Sequence, residues 1–146
     1  GTQSIFNERS DVYTVSIHGD PLTEYPFFLG HADERGSGAG EGYNLNFPLP
    51  RGTQFETWYV TLQRALQVIS DFSPQALVVP LGLDTYEGDP ISGFKLKSEH
   101  YLQVGRALAS LRLPTVFTLE GGYAVSDFGI NTVNVLEGYQ SDSTSP

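Results

Sequence analysis

Two stretches of the chain carry side chains able to do chemistry together: Leu81-Gly82-Leu83-Asp84-Thr85-Tyr86-Glu87-Gly88-Asp89-Pro90 and Leu119-Glu120-Gly121-Gly122-Tyr123. Each follows a short apolar run that reads as a buried strand, so each puts its reactive groups in a loop just past a strand end. Carboxylates in one loop, and a phenol beside paired glycines in the other, look like the edge of a hydrolytic metal site. No second carboxylate or histidine lies upstream at a spacing that would complete it.

The elements that must position these loops follow from hydrophobic pattern. Residues 12–17, 76–81 and 115–119 are β-branched, aromatic or continuously apolar, and read as strands. Runs without strict alternation imply strands covered on both faces, as in a parallel sheet. Phe55, Trp58, Tyr59, Leu62, Leu66 and Ile69 recur at helical spacing. So do Tyr101, Val104, Leu108 and Leu111, with Ser98 placed as the N-cap. A third helix is expected over residues 127–136, with Ile130, Val133 and Leu136 facing inward. Strands alternating with helices give an α/β domain with a parallel sheet, and ligands gather beyond the carboxyl ends of its strands. The post-strand loops should therefore converge, the first offering His18 and Asp20, the second Asp84, Glu87 and Asp89, the third Glu120 to Tyr123.

The segment over residues 19–53 is longer than the ~12 to 15 residues usual for a structureless loop, so it is either a functional rim or a displaced piece of a larger structure. Its run Gly36-Ser37-Gly38-Ala39-Gly40-Glu41-Gly42 matches neither spacing of a phosphate-binding loop. The favoured reading is a loop that needs positive φ at several places. Tyr25, Phe27 and Phe28 either line an apolar passage or anchor the loop to the core.

Composition bounds the partners. A chain of 146 residues, 39% of them apolar, suits one domain that buries about two-thirds of its unfolded surface. Its 17 acidic against 8 basic residues leave a formal charge of −9. That balance argues against nucleic acid, whose affinity comes from Lys and Arg, and suits a cationic substrate. Absence of Cys excludes disulfides, thiolate metal sites and cysteine nucleophiles. No apolar run approaches the ~20 residues of a membrane span, and the opening residues show no signal-peptide pattern, so the default expectation is cytoplasmic with no membrane partner. A chain that opens Gly1-Thr2-Gln3 without Met is expected to be a fragment or a processed product.

Taken together, Gly82-Leu83-Asp84, Gly88-Asp89-Pro90, Glu120-Gly121-Gly122-Tyr123 and Ser16-Ile17-His18 carry a resemblance. With the run from Gly36 through Asn44, Asn46 and Pro48-Leu49-Pro50, they resemble the zinc-dependent histone deacetylase and acetylpolyamine amidohydrolase superfamily. The ending Gly129-Ile130-Asn131 through Leu136-Glu137-Gly138-Tyr139 is closer to its bacterial, polyamine branch. The resemblance implies a three-layer arginase/deacetylase-like α/β fold with a parallel sheet, truncated at the N-terminus. It makes residues 1–140 a partial deacetylase-like domain and residues 141–146 a flexible tail. The chemistry implied is amide hydrolysis by a zinc-bound water. Asp84 corresponds to a zinc ligand, and Tyr123 to the tyrosine that hydrogen-bonds the substrate carbonyl and then the oxyanion. Ser16 and the carbonyl of Ile17 match a monovalent-cation (potassium) site; Phe6, Arg9, Val12 and Tyr43 match a second one. Phe28, Gly121 and Gly122 fall at substrate-binding positions.

The family's Asp-x-His ligand pair and tandem catalytic histidines are not in this chain. The expectation is an amidohydrolase fragment, acting on acetylated polyamines or acetyl-lysine only if the site is completed, and inactive alone. The alternatives are a non-catalytic binding module built on the half-fold, or a new metal site from His18, Asp20 and Asp84. Plainer roles remain open: Asp84 as turn former, Tyr123 as packed aromatic, His18 as a hydrogen-bonded structural residue, Glu87 and Asp89 as loop shapers. His31 and His100 have no evident partner in sequence. An unpaired sheet edge and the aromatics at 25–28 lead to the expectation of a homo-oligomer.

Overall fold

The computed structural model describes residues 1–143. Among them, α1 (Thr2–Phe6) precedes β1 (Thr14–Gly19) and β2 (Asn44–Leu49); then come α2 (Phe55–Phe72), β3 (Leu77–Leu81), α3 (His100–Ala109), β4 (Thr115–Leu119) and α4 (Val125–Ser143). The strands form two parallel pairs, β1 with β2 in the register Ser16 to Asn46, and β3 with β4 in the register Val79 to Phe117. The α/β class and parallel pairing hold.

α2 turns its apolar stripe inward, burying Phe55, Trp58, Leu62, Ala65 and Leu66. Glu56 in its first turn suits the positive helix end, and the helix stops where Ser73 adopts the left-handed conformation (φ 56°) ahead of Pro74. The core joins this face to Leu81, Leu83, Phe94, Leu96, Tyr101, Val104, Leu108 and Val135. Tyr13, Tyr43 and Phe72 meet edge to face, with centroids 5.4 to 5.9 Å apart, and tie the starts of β1 and β2 to the end of α2.

Four expectations are corrected. The segment over residues 19–53 contains β2, which sequence pattern missed because its buried positions are Asn44 and Asn46 rather than apolar residues. These amides are satisfied: Asn44 Nδ2 donates to Glu34 O at 2.6 Å, and Asn46 Nδ2 to Gln3 Oε1 at 2.9 Å and to His31 O at 3.0 Å. α4 begins earlier and runs longer than residues 127–136, and it buries Asn131 and Val135 while Ile130, Val133 and Leu136 remain 44 to 50% exposed. The close crossing of α3 and α4 at Gly105 and Gly138 sets that rotation, overriding the wider apolar stripe. Ser98 does not cap α3 with its side chain; its carbonyl accepts from Asn134 Nδ2 at 2.7 Å instead. Finally, β3 and β4 pack one face, through Leu77, Val79 and Phe117, while Val78 and Val116 on the other are about 60% exposed. Helix α4 extends to Ser143, inside the stretch read as a tail, and residues 144–146 lie outside the described residues.

The glycine-rich run behaves as its composition implies. Gly36, Gly38 and Gly42 all have positive φ (88°, 55° and 87°), and the turn between them closes against Asn7, whose Nδ2 donates to Ser37 Oγ at 2.6 Å.

Candidate active site

Asp84 lies in the loop that leaves β3, and Gly121 to Tyr123 lie in the loop that leaves β4. Because the two strands are parallel neighbours, both loops emerge at the same sheet edge. Backbone bonds join them: Leu83 N–H donates to Gly121 O at 2.7 Å, and Glu120 N–H to Leu81 O at 3.0 Å. Gly121 packs directly against Asp84, where any side chain would overlap the carboxylate. Gly122 has φ 144°, and a methyl there would lie 2.8 Å from the Phe128 ring. The paired glycines are thus required by close approach and by backbone conformation.

The β3 loop is held from below. Thr85 Oγ1 lies 2.9 Å from Tyr101 Oη, which in turn donates to Leu83 O at 3.3 Å. Burial pushes the Tyr101 hydroxyl above the ordinary phenol range. Leu96 N–H donates to Thr85 O at 3.2 Å, and Glu87 N–H to Leu96 O at 2.7 Å. Gly52 N–H reaches Gly93 O at 2.8 Å, so the far end of the loop is fastened just ahead of α2.

Burial raises the Asp84 carboxyl above its usual value, and the nearby charges of Asp89 and Glu24 push it the same way. Such an acid binds more protons folded than unfolded. Stability therefore falls as pH rises from 3.8, the unperturbed value, to the raised one, and stays lowered above it. Asp84→Asn is expected to raise the melting temperature of the metal-free chain by a few degrees at pH 7, and to leave it unchanged at pH 3. An equal shift at both pH values would show that charge burial is not the cause.

The acidic neighbours are committed elsewhere. Asp89, buried to 7% exposure, accepts Ile91 N–H (2.9 Å) and Ser92 N–H (3.2 Å) on Oδ1 and Tyr123 N–H (2.7 Å) on Oδ2. Sequence pattern offers it both as a loop-end carboxylate of the site and as a turn former; its bond to Tyr123 spans loops 34 residues apart, for which the chain has no local signal. Glu24 faces Arg51 at 3.6 Å. His18 is a structural residue, its Nε2 donating to Gly30 O at 2.8 Å and its Nδ1 lying 2.7 Å from Ser16 Oγ, which fixes the tautomer. Ser16 Oγ is thereby engaged with His18, and Ile17 sits beside them in β1. His100 stacks on Phe55 with centroids 3.9 Å apart and accepts Lys97 N–H, and His31 supplies its carbonyl to Asn46. Tyr25, Phe27 and Phe28 are 83, 59 and 76% exposed, so they do not anchor their loop to the core. Tyr123 is about half exposed.

The histone deacetylase domain model matches residues 1–138. The chain belongs to the histone deacetylase family. Among its curated relatives, acetylpolyamine amidohydrolase 1 of Pseudomonas aeruginosa is 56% identical over 96% of this chain and 40% of its own length. The acetylpolyamine amidohydrolase of Mycoplana ramosa is 49% identical over 94% and 40%. The crystal structure of acetylpolyamine aminohydrolase from Burkholderia pseudomallei superposes with a TM-score of 0.95 at 40% identity, covering 97% of this chain and 42% of that one. The chain thus spans about two-fifths of the length of these relatives. The motif resemblance implies zinc. Among the described residues, no three His, Asp or Glu side chains are grouped to hold a metal ion, so these residues alone do not fit zinc, and the combination of His18, Asp20 and Asp84 is not formed. None of the described helices is long and apolar enough to cross a membrane.

Proposed function

We propose that this chain is the tyrosine-bearing part of an amide hydrolase that removes acetyl groups from acetylated amines, with acetylated polyamines the favoured substrates. The observation that carries this reading is the fastening of the Asp84 loop to the Gly121-Gly122-Tyr123 loop by two backbone donors, Leu83 and Tyr123, each at 2.7 Å. In this reading the Tyr123 hydroxyl donates to the acetyl carbonyl oxygen, a bond that strengthens as negative charge develops there. Gly121 leaves room for the Asp84 carboxylate beside it, and Gly122 lets the chain turn into Tyr123. Phe28, exposed on the loop after β1, is the aromatic that the family resemblance assigns to the substrate's apolar stem. The formal charge of −9 favours the cationic remainder of a polyamine. The described residues supply no three-ligand metal set.

Two outcomes test this. The 146-residue chain alone should hold no stoichiometric zinc after dialysis and release no acetate from acetylputrescine or acetyl-lysine peptides above buffer. Tight one-to-one zinc binding lost in Asp84→Ala would overturn that expectation. In the polypeptide as the gene encodes it, Tyr123→Phe should lower turnover by about 10² to 10³. Unchanged turnover would remove Tyr123 from the chemistry.

A second reading, association of copies through this half-fold, is favoured by the exposure of Val78 and Val116 on one sheet face together with Tyr25, Phe27 and Phe28. An even-numbered oligomer is the expected result of light scattering at micromolar concentration. A 16.0 kDa monomer with a cooperative thermal transition would exclude it.

A further inference from the structure

The segment that delivers Tyr123 belongs to neither β4 nor α4, and the residue before it is a glycine with φ 144°. Locally, the Tyr123 carbonyl accepts the Val125 N–H at 3.0 Å, but its own N–H has no partner nearby in sequence, so the placing of that end of the residue depends on what grips the N–H. That grip is Asp89, whose Oδ2 accepts the Tyr123 N–H at 2.7 Å from a buried position across 34 residues of sequence. The same side chain's Oδ1 ties Ile91 and Ser92 into the β3 loop, so one carboxylate clamps both site loops. A hydrogen bond from a backbone N–H to an ionised carboxylate is about twice as strong as a neutral one.

We propose that Asp89 is a positioning residue for Tyr123, holding its backbone against the β3 loop so that the phenol stands where the substrate carbonyl is met; this rests on the role given to Tyr123 above. Asp89→Asn tests it selectively. An amide has one acceptor oxygen, and two donors, Ile91 and Ser92, compete for it against one. The amide oxygen therefore stays with the turn, and the NH₂ group faces the Tyr123 N–H, where it cannot accept.

Residue-resolved hydrogen exchange on the chain is the first measurement. In the unaltered chain, the Tyr123 amide should exchange at least about tenfold more slowly than that of Ala124. In Asp89→Asn it should quicken by about 10- to 100-fold, while Ile91 and Ser92 change by less than about threefold. A Tyr123 amide already unprotected in the unaltered chain, or one indifferent to Asp89→Asn, overturns the proposal even if the variant folds poorly. Acceleration of all three amides together would reduce Asp89 to a turn former.

Steady-state deacetylation by the polypeptide as encoded is the second measurement. Asp89→Asn should lower kcat by about tenfold with KM within about twofold, and should add nothing on a Tyr123→Phe background. Multiplying effects would show that Asp89 acts independently of Tyr123 and would overturn the positioning role. If the unaltered polypeptide shows no turnover at all, the proposed activity fails, while exchange still decides whether Asp89 holds the Tyr123 backbone.

Discussion

Gly105→Ala is expected to destabilise the chain by about 3 kcal/mol or more, because the added methyl meets backbone rather than a movable side chain. Gly105 in α3 lies against the carbonyl of Val135 and the amide nitrogen of Tyr139, and Gly138 in α4 lies against the carbonyl of Leu102. The two helices cross glycine to backbone, and neither can yield without moving the other. Intrinsic propensity acts in the opposite direction, since alanine is favoured over glycine in a helix by about 1 kcal/mol. Gly129→Ala supplies the control. It lies in the same α4, a methyl there meets nothing within 4 Å, and it should stabilise by about 0.5 to 1 kcal/mol. Urea unfolding with an unchanged m-value reads both. A Gly105→Ala chain as stable as the parent would mean that α3 and α4 are not packed this closely.

The second large effect belongs to Leu96. Its side chain is fully buried, and its backbone brackets the site loop through Thr85 O and Glu87 N–H. Leu96→Ala should cost about 2 to 5 kcal/mol by leaving a cavity under the loop that carries Asp84. Faster amide exchange at Glu87 should accompany it, since the bond from Glu87 to Leu96 O loses its packed support. Ile91→Ala, in the same loop but 59% exposed, should stay within about 0.5 kcal/mol. Equal effects at the two positions would show that the loop is not seated on this core.

The placing of Asp84 and Tyr123 on loops just past strands was legible because both follow apolar strand-like runs, and parallel pairing of β3 with β4 then brings the two loops to one edge. β4 was legible to the residue, and α2 and α3 by their apolar spacing. β2 was not, because a strand whose buried face is Asn44 and Asn46 has no apolar alternation to detect, and its amides find partners only in residues 3, 31 and 34.

What the sequence by itself determined is the set of elements that local pattern encodes: parallel α/β class, the paired glycines, and the family to which the site motifs belong. Tertiary structure alone decided which face α4 buries, because Gly105 and Gly138 admit a helix crossing whose rotation no single helix's hydrophobic stripe records. It also decided the part played by Asp89. A carboxylate ahead of a proline reads locally as a turn, and only folding places its second oxygen on the Tyr123 amide. The physical reason is the same in both cases. Short-range periodicity specifies what one segment prefers, whereas close backbone approach and long-range hydrogen bonds exist only once two segments have met.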